Sequence, residues 1–177
     1  MKIAITGHSA GIGHALAKCY TSRGHEIVGL SKRNGHNIRS TMKIASSIEP
    51  CDMWINNAQE SFAQTELLFE MVQRWKNSRK HIMIISTMMT QQPVGFIPEL
   101  DFYRVQKLAL EESVRQLRHR NLGIRITLVR PGNIATSPDK TVPPAADTQH
   151  WAETLVGLLE SVGPELEISD ISLGPRN

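Results

Sequence analysis

Cysteine is almost missing from this chain: Cys19 and Cys51 are the only two, with no CxxC spacing and no partnering histidine pattern. Neither a disulfide framework nor a zinc site is encoded, and a reducing, cytoplasmic compartment is expected. Long apolar runs are missing too, so no segment approaches transmembrane length and no membrane partner is expected. MKIAITG at the start passes directly into strand-like sequence; without a charged and apolar leader, a soluble, unexported protein is the expectation. Aromatic residues make up 5% of the chain and do not interleave with its cations, which removes the stacking platform of a single-strand nucleic-acid site. The net charge of +3 therefore does not imply a nucleic-acid partner. Its basic clusters, Arg74, Lys76, Arg79, Lys80 and Arg115, Arg118, Arg120, read as cations closing predicted helices, where they complement the macrodipole. Seven histidines are scattered without i, i+4 pairing, so no metal is expected.

What is present is an apolar fraction of 40% in 177 residues, enough for one good core and too little chain for two ordinary domains. Residues 1–177 are read as one domain. Short apolar runs alternate with helical periodicity. KIAIT precedes a helix from about Ile12 to Arg23, EIVGL one from about Ser40 to Ile48, MWIN one from about Ala63 to Asn77, and HIMIIS one from about Phe102 to Arg120. IRITLVR then runs up to Pro131, and ELEISDISL reads as a final strand. Runs that are apolar on both faces suit a parallel sheet covered by helices on each side, so the expected fold is doubly wound α/β. Two long loops bearing prolines, Met88 to Leu100 and Gly132 to Asp147, follow strand carboxyl ends, where open α/β sheets bind ligands; walls or a lid are expected there. The polar stretch SPDKTVPPAADTQ is expected to be mobile. Met83 and the tryptophans at 54, 75 and 151 are expected to fill the core, with Met88 and Met89 candidates for a pocket wall.

TGHSAGIG, from Thr6 to Gly13, lies directly between a strand and a helix. Gly7, Gly11 and Gly13 allow a tight turn, close backbone approach to a pyrophosphate and a helix start close to the sheet. That helix start, with Ser9 and Ile12, presents free N–H groups to phosphate. This is the Rossmann dinucleotide signature. After the second strand, LSKRN offers Lys32 and Arg33 where an NAD site would carry an acid. A guanidinium can pair with a 2′-phosphate, so NADP(H) is the expected cofactor.

Tyr103 and Lys107 stand four apart in FYRVQKLALEESVRQL, on one face of one helix. A phenol titrates near pH 10; a lysine one turn away is expected to acidify it for proton exchange and to bond the cofactor ribose. The pair gains meaning from the glycine turn and from the hydroxyls that end HIMIIST.

TGHSAGIG, INNA, IIST, YRVQK and RPGNIAT, in this order, resemble the short-chain dehydrogenase/reductase family over nearly the whole chain. The resemblance implies hydride transfer between a nicotinamide and a small-molecule carbonyl or alcohol, with Tyr103 as general acid/base and Lys107 as its electrostatic partner and ribose ligand. It implies Thr87, with Ser86 before it, as the substrate-orienting hydroxyl. Asn57 and Ala58 would lie against the adenosine half, Asn37 and Ile38 would bracket the adenine, and Pro131, Gly132, Ile134 and Thr136 would cover the nicotinamide. A dimer or tetramer built through the Ala63–Asn77 and Phe102–Arg120 helices is implied as well.

The sequence also departs from that pattern. The usual NNAG reads Asn56, Asn57, Ala58, Gln59, and the short span from Arg33 to Asn37 leaves no room for the customary third strand and its preceding helix. A trimmed sheet is expected. The asparagine of the family's proton relay has no clear counterpart; Gln59, Gln64 or a solvent path are the alternatives. A catalytically weak or inactive dinucleotide-binding regulator on the same fold is the second functional reading.

Overall fold

A computed structural model describes residues 1–93, 97–120, 122–136, 144–163 and 165–176. In chain order the elements are β1 (Lys2–Thr6), α1 (Gly11–Ser22), β2 (Glu26–Leu30), α2 (Thr41–Ile48), β3 (Met53–Asn56), α3 (Ala63–Trp75), β4 (His81–Ile85), α4 (Asp101–Arg118), β5 (Arg125–Pro131), α5 (Thr148–Glu160) and β6 (Asp170–Leu173). The six strands form one parallel sheet in the order β2-β1-β3-β4-β5-β6. The order reverses direction at β1, so the crevice between β1 and β3 at their carboxyl ends is the switch point where such sheets take ligands. The expected doubly wound sheet is present, and β2 passes through a single 3-10 turn (Lys32–Asn34) directly to α2, without the extra strand and helix.

Strand alternation divides the core. Ala4, Trp54, Ile82, Ile84, Ile126 and Leu128 face α2, α3 and α4, while Ile3, Ile5, Ile55, Met83, Ile85 and Val129 face α1 and α5. Both sets are buried, as period-2 side chains in a sheet covered on both sides must be. Met83 and all three tryptophans belong to this core. α5 is an element the sequence reading did not foresee. Asp147 caps it by accepting from the His150 N–H at 2.7 Å, and Trp151, Ala152, Leu155 and Val156 form its buried stripe.

The 88–100 loop is partly regular, with 3-10 turns at Met88–Gln91 and Pro98–Leu100. Residues 137–143, the first half of the stretch expected to be mobile, lie outside the described residues; its last two residues belong to α5. Many of the basic clusters are tied into ion pairs: Arg74 with Glu49 and Glu70, Arg115 with Glu112, Arg118 with Asp170.

Candidate functional site

The carboxyl ends of β1, β2 and β3 open into a groove of about 430 Å³, whose lining includes Gly7, Ser9, Arg33, Ile38, Asn57 and Ala58. The glycine turn shapes its floor. Gly7 has φ +75° and Gly11 φ +52°, a region that side chains other than glycine strain to reach. At Gly13 the reason is space: a Cβ there would sit 2.3 Å from the Gly7 carbonyl oxygen and 2.6 Å from Asn57 Nδ2. Asn57 fixes this approach by donating to the carbonyl of Thr6 at 3.0 Å, while the Thr6 hydroxyl accepts from the Asn57 N–H at 3.1 Å. α1 then begins after Ala10, with no side-chain cap and no acidic residue in its first turn. Its leading N–H groups thus meet an anion without competition from a capping side chain, which fits a dinucleotide pyrophosphate. Ile12 packs against the α1–α5 side of the core.

Charge gathers at the β2 end of the groove. Arg33 is exposed, its guanidinium touching, among the described residues, the Ser9 carbonyl at 3.4 Å. Lys32 instead pairs with Glu60 at 2.6 Å, and Arg39 pairs with the same carboxylate at 2.7 Å. Ile38 is buried and lines the groove; Asn37 does not, its side chain accepting from the Arg39 N–H in a local turn at 3.0 Å. Glu60 and Arg39 were missed in the sequence because their roles depend on the loop after β3 reaching the loop after β2.

The second half of the site is built on α4. Tyr103 and Lys107 share a face, with Lys107 Nζ 5.5 Å from the Tyr103 ring centroid. Thr87, two residues past the end of β4, accepts from the Met89 N–H at 3.3 Å and is the hydroxyl beside this phenol that lowers its titration. Ser86 is not: its hydroxyl donates to Glu111 at 2.5 Å. Burial pushes the Tyr103 phenol above its ordinary range, and the hydrogen bond with Thr87 only partly offsets this. Acidification by Lys107, expected from the spacing, is not what the free protein has. The first reason is the burial of the phenol itself; Lys107 is also 3% exposed, and burial brings its ammonium down to about 7, so its charge near neutrality is fractional.

Of the alternatives for the missing asparagine, Gln64 is the side chain that touches Lys107. Its side-chain oxygen accepts from Lys107 Nζ at 2.8 Å, and its amide donates to the carbonyls of Asn56 at 2.7 Å and Ile85 at 3.1 Å. Lys107 Nζ donates also to the Ile85 carbonyl, at 2.9 Å. Gln59, the other alternative, donates to Gln106 and leaves Lys107 alone.

Behind Ser86 runs a chain of charges invisible in the linear sequence. Glu111 accepts from Ser86, from Thr90 at 2.9 Å and from Arg130 at 2.9 Å, and Arg130 and Arg118 both hold Asp170. The chain ties the ends of β4 and β5 to α4 and β6. An acid one turn beyond a lysine, as Glu111 is to Lys107, was the available signal.

The segment after β5 closes the remaining side. Gly132 packs against Gly174 and the Met88 sulfur, so that a Cβ on it would lie 2.8 Å from Gly174 Cα. Ile134 bridges to Ala146, and Thr136 sits over Gly11, its Cβ 3.2 Å from where a Gly11 Cβ would be. Pro131 is the buried last residue of β5. Of the residues expected to cover one end of a cofactor, Thr136 borders the glycine turn.

No family model matches the sequence, and no curated protein does. Solved structures do match. A short-chain dehydrogenase/reductase from Vibrio parahaemolyticus superposes with a TM-score of 0.77 at 20% identity, over 97% of this chain and 98% of its own. A short-chain dehydrogenase from Burkholderia cenocepacia J2315 in complex with NADP gives 0.78 at 16% identity, over 98% and 88%. The 3-alpha-hydroxysteroid dehydrogenase from Pseudomonas sp. B-0831 complexed with NADH gives 0.60 at 18%, over 98% and 93%. Over nearly its whole length this chain has the fold of the short-chain dehydrogenases and reductases.

Proposed function

We propose that the chain is an NADP(H)-dependent oxidoreductase that interconverts a small carbonyl compound and its alcohol, acting as a single domain in the cytoplasm. The observation that carries this reading is the meeting of Tyr103, Thr87 and Lys107 beside a glycine turn too close-packed for any side chain at Gly13. The glycine turn and the α1 N-terminus would hold the pyrophosphate, Lys32 and Arg33 the 2′-phosphate, Asn57, Ala58 and Ile38 the adenosine, and Pro131, Gly132, Ile134 and Thr136 the nicotinamide end. The bound nicotinamide supplies or accepts the hydride.

The residues supply the rest. Thr87 would polarise the substrate oxygen by a hydrogen bond. Tyr103 would give that oxygen its proton as the adjacent carbon is reduced, or take it back in the reverse direction. A phenol held above its ordinary range is protonated at neutral pH and so carries the proton that reduction consumes. Lys107, anchored by Gln64 and Ile85, has in its ammonium form one N–H left to donate toward a ribose hydroxyl. Neighbours of the same fold crystallised with NADP and with NADH; the preference for NADP(H) rests on Arg33.

A panel of carbonyl substrates with NADPH, run on wild type and Tyr103→Phe, tests the mechanism. Loss of the general acid should cut kcat by about 10²- to 10⁴-fold with NADPH binding retained; unchanged turnover would refute the mechanism. A second reading, a dinucleotide-binding regulator without turnover, is favoured by one observation: two of the three Lys107 N–H donors are already held inward. NADPH binding with no turnover on any carbonyl would decide for it. A homodimer or homotetramer through α3 and α4 is proposed from the exposed Phe102, Val105 and Leu108 on α4 and is testable by sedimentation.

A further inference from the structure

Three cations, Lys32, Arg33 and Arg39, surround the β2 end of the groove, and one carboxylate, Glu60, stands among them. Glu60 is the inner member: its side chain is 21% exposed, against 64% for Lys32 and 62% for Arg39. It also lines the groove. Because β1 lies between β2 and β3, a bridge from Glu60, in the loop after β3, to Lys32, in the turn after β2, spans the groove beyond the end of β1. The contacts from Lys32 and Arg39 hold the Glu60 carboxyl below the ordinary carboxylate range, so it is charged at neutral pH.

We propose that Glu60 is a built-in competitor for the cofactor's 2′-phosphate, occupying Lys32 and Arg39 and thereby setting how strongly the groove prefers NADP(H) over NAD(H). This rests on the dinucleotide reading above and goes beyond it by naming a residue that opposes the preference. A phosphate monoester carries nearly two negative charges at neutral pH, and it enters a site where two of three cations already have an anionic partner. Binding requires Lys32 and Arg39 to exchange or share that partner. Their long exposed stems allow the movement, but the fixed carboxylate then stands close to the phosphate as a like charge. A ribose with free hydroxyls meets no such repulsion, since a carboxylate only accepts from it. Arg33, with its single backbone contact among the described residues, is the cation ready at the outset.

The test is calorimetric titration of wild type and Glu60→Gln with NADPH, NADH, adenosine 2′,5′-bisphosphate and AMP. Glutamine keeps the shape and removes the charge, and exposed ion pairs contribute little to folding, so the variant should remain folded. Removing one charge ~6 Å from a phosphate dianion corresponds to roughly tenfold in Kd in a water-like dielectric. NADPH and the bisphosphate should therefore bind about tenfold tighter to the variant, with NADH and AMP changed less than about twofold, and the gain should shrink at high salt. An unchanged NADPH-to-NADH ratio would overturn the role of Glu60 while leaving the dinucleotide reading standing. Weaker binding of NADH by the variant would overturn it too, by making Glu60 a ribose ligand. If neither dinucleotide binds either protein, the functional reading itself falls, and this inference with it.

Discussion

Lys107→Met should flatten the pH dependence of folding stability between pH 7 and 9. In the folded protein the ammonium is buried and its pKa is about 7, against an ordinary 10.5; the unfolded chain therefore binds more protons than the folded one throughout that interval. Where the unfolded state holds the extra proton, stability rises with pH. Lys107 should thus add about 2 kcal/mol of stability between pH 7 and 9, equivalent to about 4–8 °C in Tm for a chain of this size. Glu111 is the charged group that partly opposes the depression. Cys19, Cys51 and Tyr20 are pushed upward by burial. They favour the folded state less as pH rises above about 9, so the measurement stops there. The assay is urea unfolding of both proteins at half-unit pH intervals, taking the difference between them. The missing Nζ gives methionine a constant offset, whereas the lysine gives a slope. Parallel profiles would refute a depressed Lys107.

Gly13→Ala should lose about 1–3 kcal/mol, the cost of forcing a methyl into close packing, because its Cβ meets the Gly7 carbonyl at 2.3 Å; NADPH binding by fluorescence should disappear with it. Gln64→Leu removes the partner of Lys107 Nζ and two donated hydrogen bonds. A loss of about 2–4 kcal/mol in chemical denaturation is expected from the buried groups it leaves unpaired, and a loss within 0.5 kcal/mol of zero would show that water takes over its role. Arg33→Ala should weaken NADPH binding about tenfold, as loss of a charge-assisted contact implies, and leave NADH nearly unaffected; equal weakening would remove the case for a 2′-phosphate at this end.

Local signals were the legible ones. Strands apolar on both faces, the glycine turn and the four-residue spacing of Tyr103 and Lys107 each act within a few residues, and each is where the sequence places it. What stayed hidden depends on long-range meetings. Gln64 reaches Lys107 from α3, Glu60 reaches Lys32 from another loop, and Ser86 is drawn away from the cleft by Glu111 across helix and sheet. The direction of the Tyr103 shift departs from expectation for the same reason, since burial of the phenol itself is a property of the packed core. α5 was locally legible through Asp147 and the Trp151, Leu155 stripe, but followed a proline-rich loop that drew the reading toward irregular structure.

The two ends of the cleft differ in how freely they can change over evolutionary time. Lys107 and Gln64 are tied to the carbonyls of β3 and β4, so altering either unsettles the central strands. Lys32, Arg39 and Glu60 project from loops beside β2, an edge strand, and meet one another largely in solvent. Substitutions there change charge without disturbing the interior, so a lineage carrying this fold could exchange one dinucleotide for the other in single steps, while the apparatus that handles the proton stays as it is.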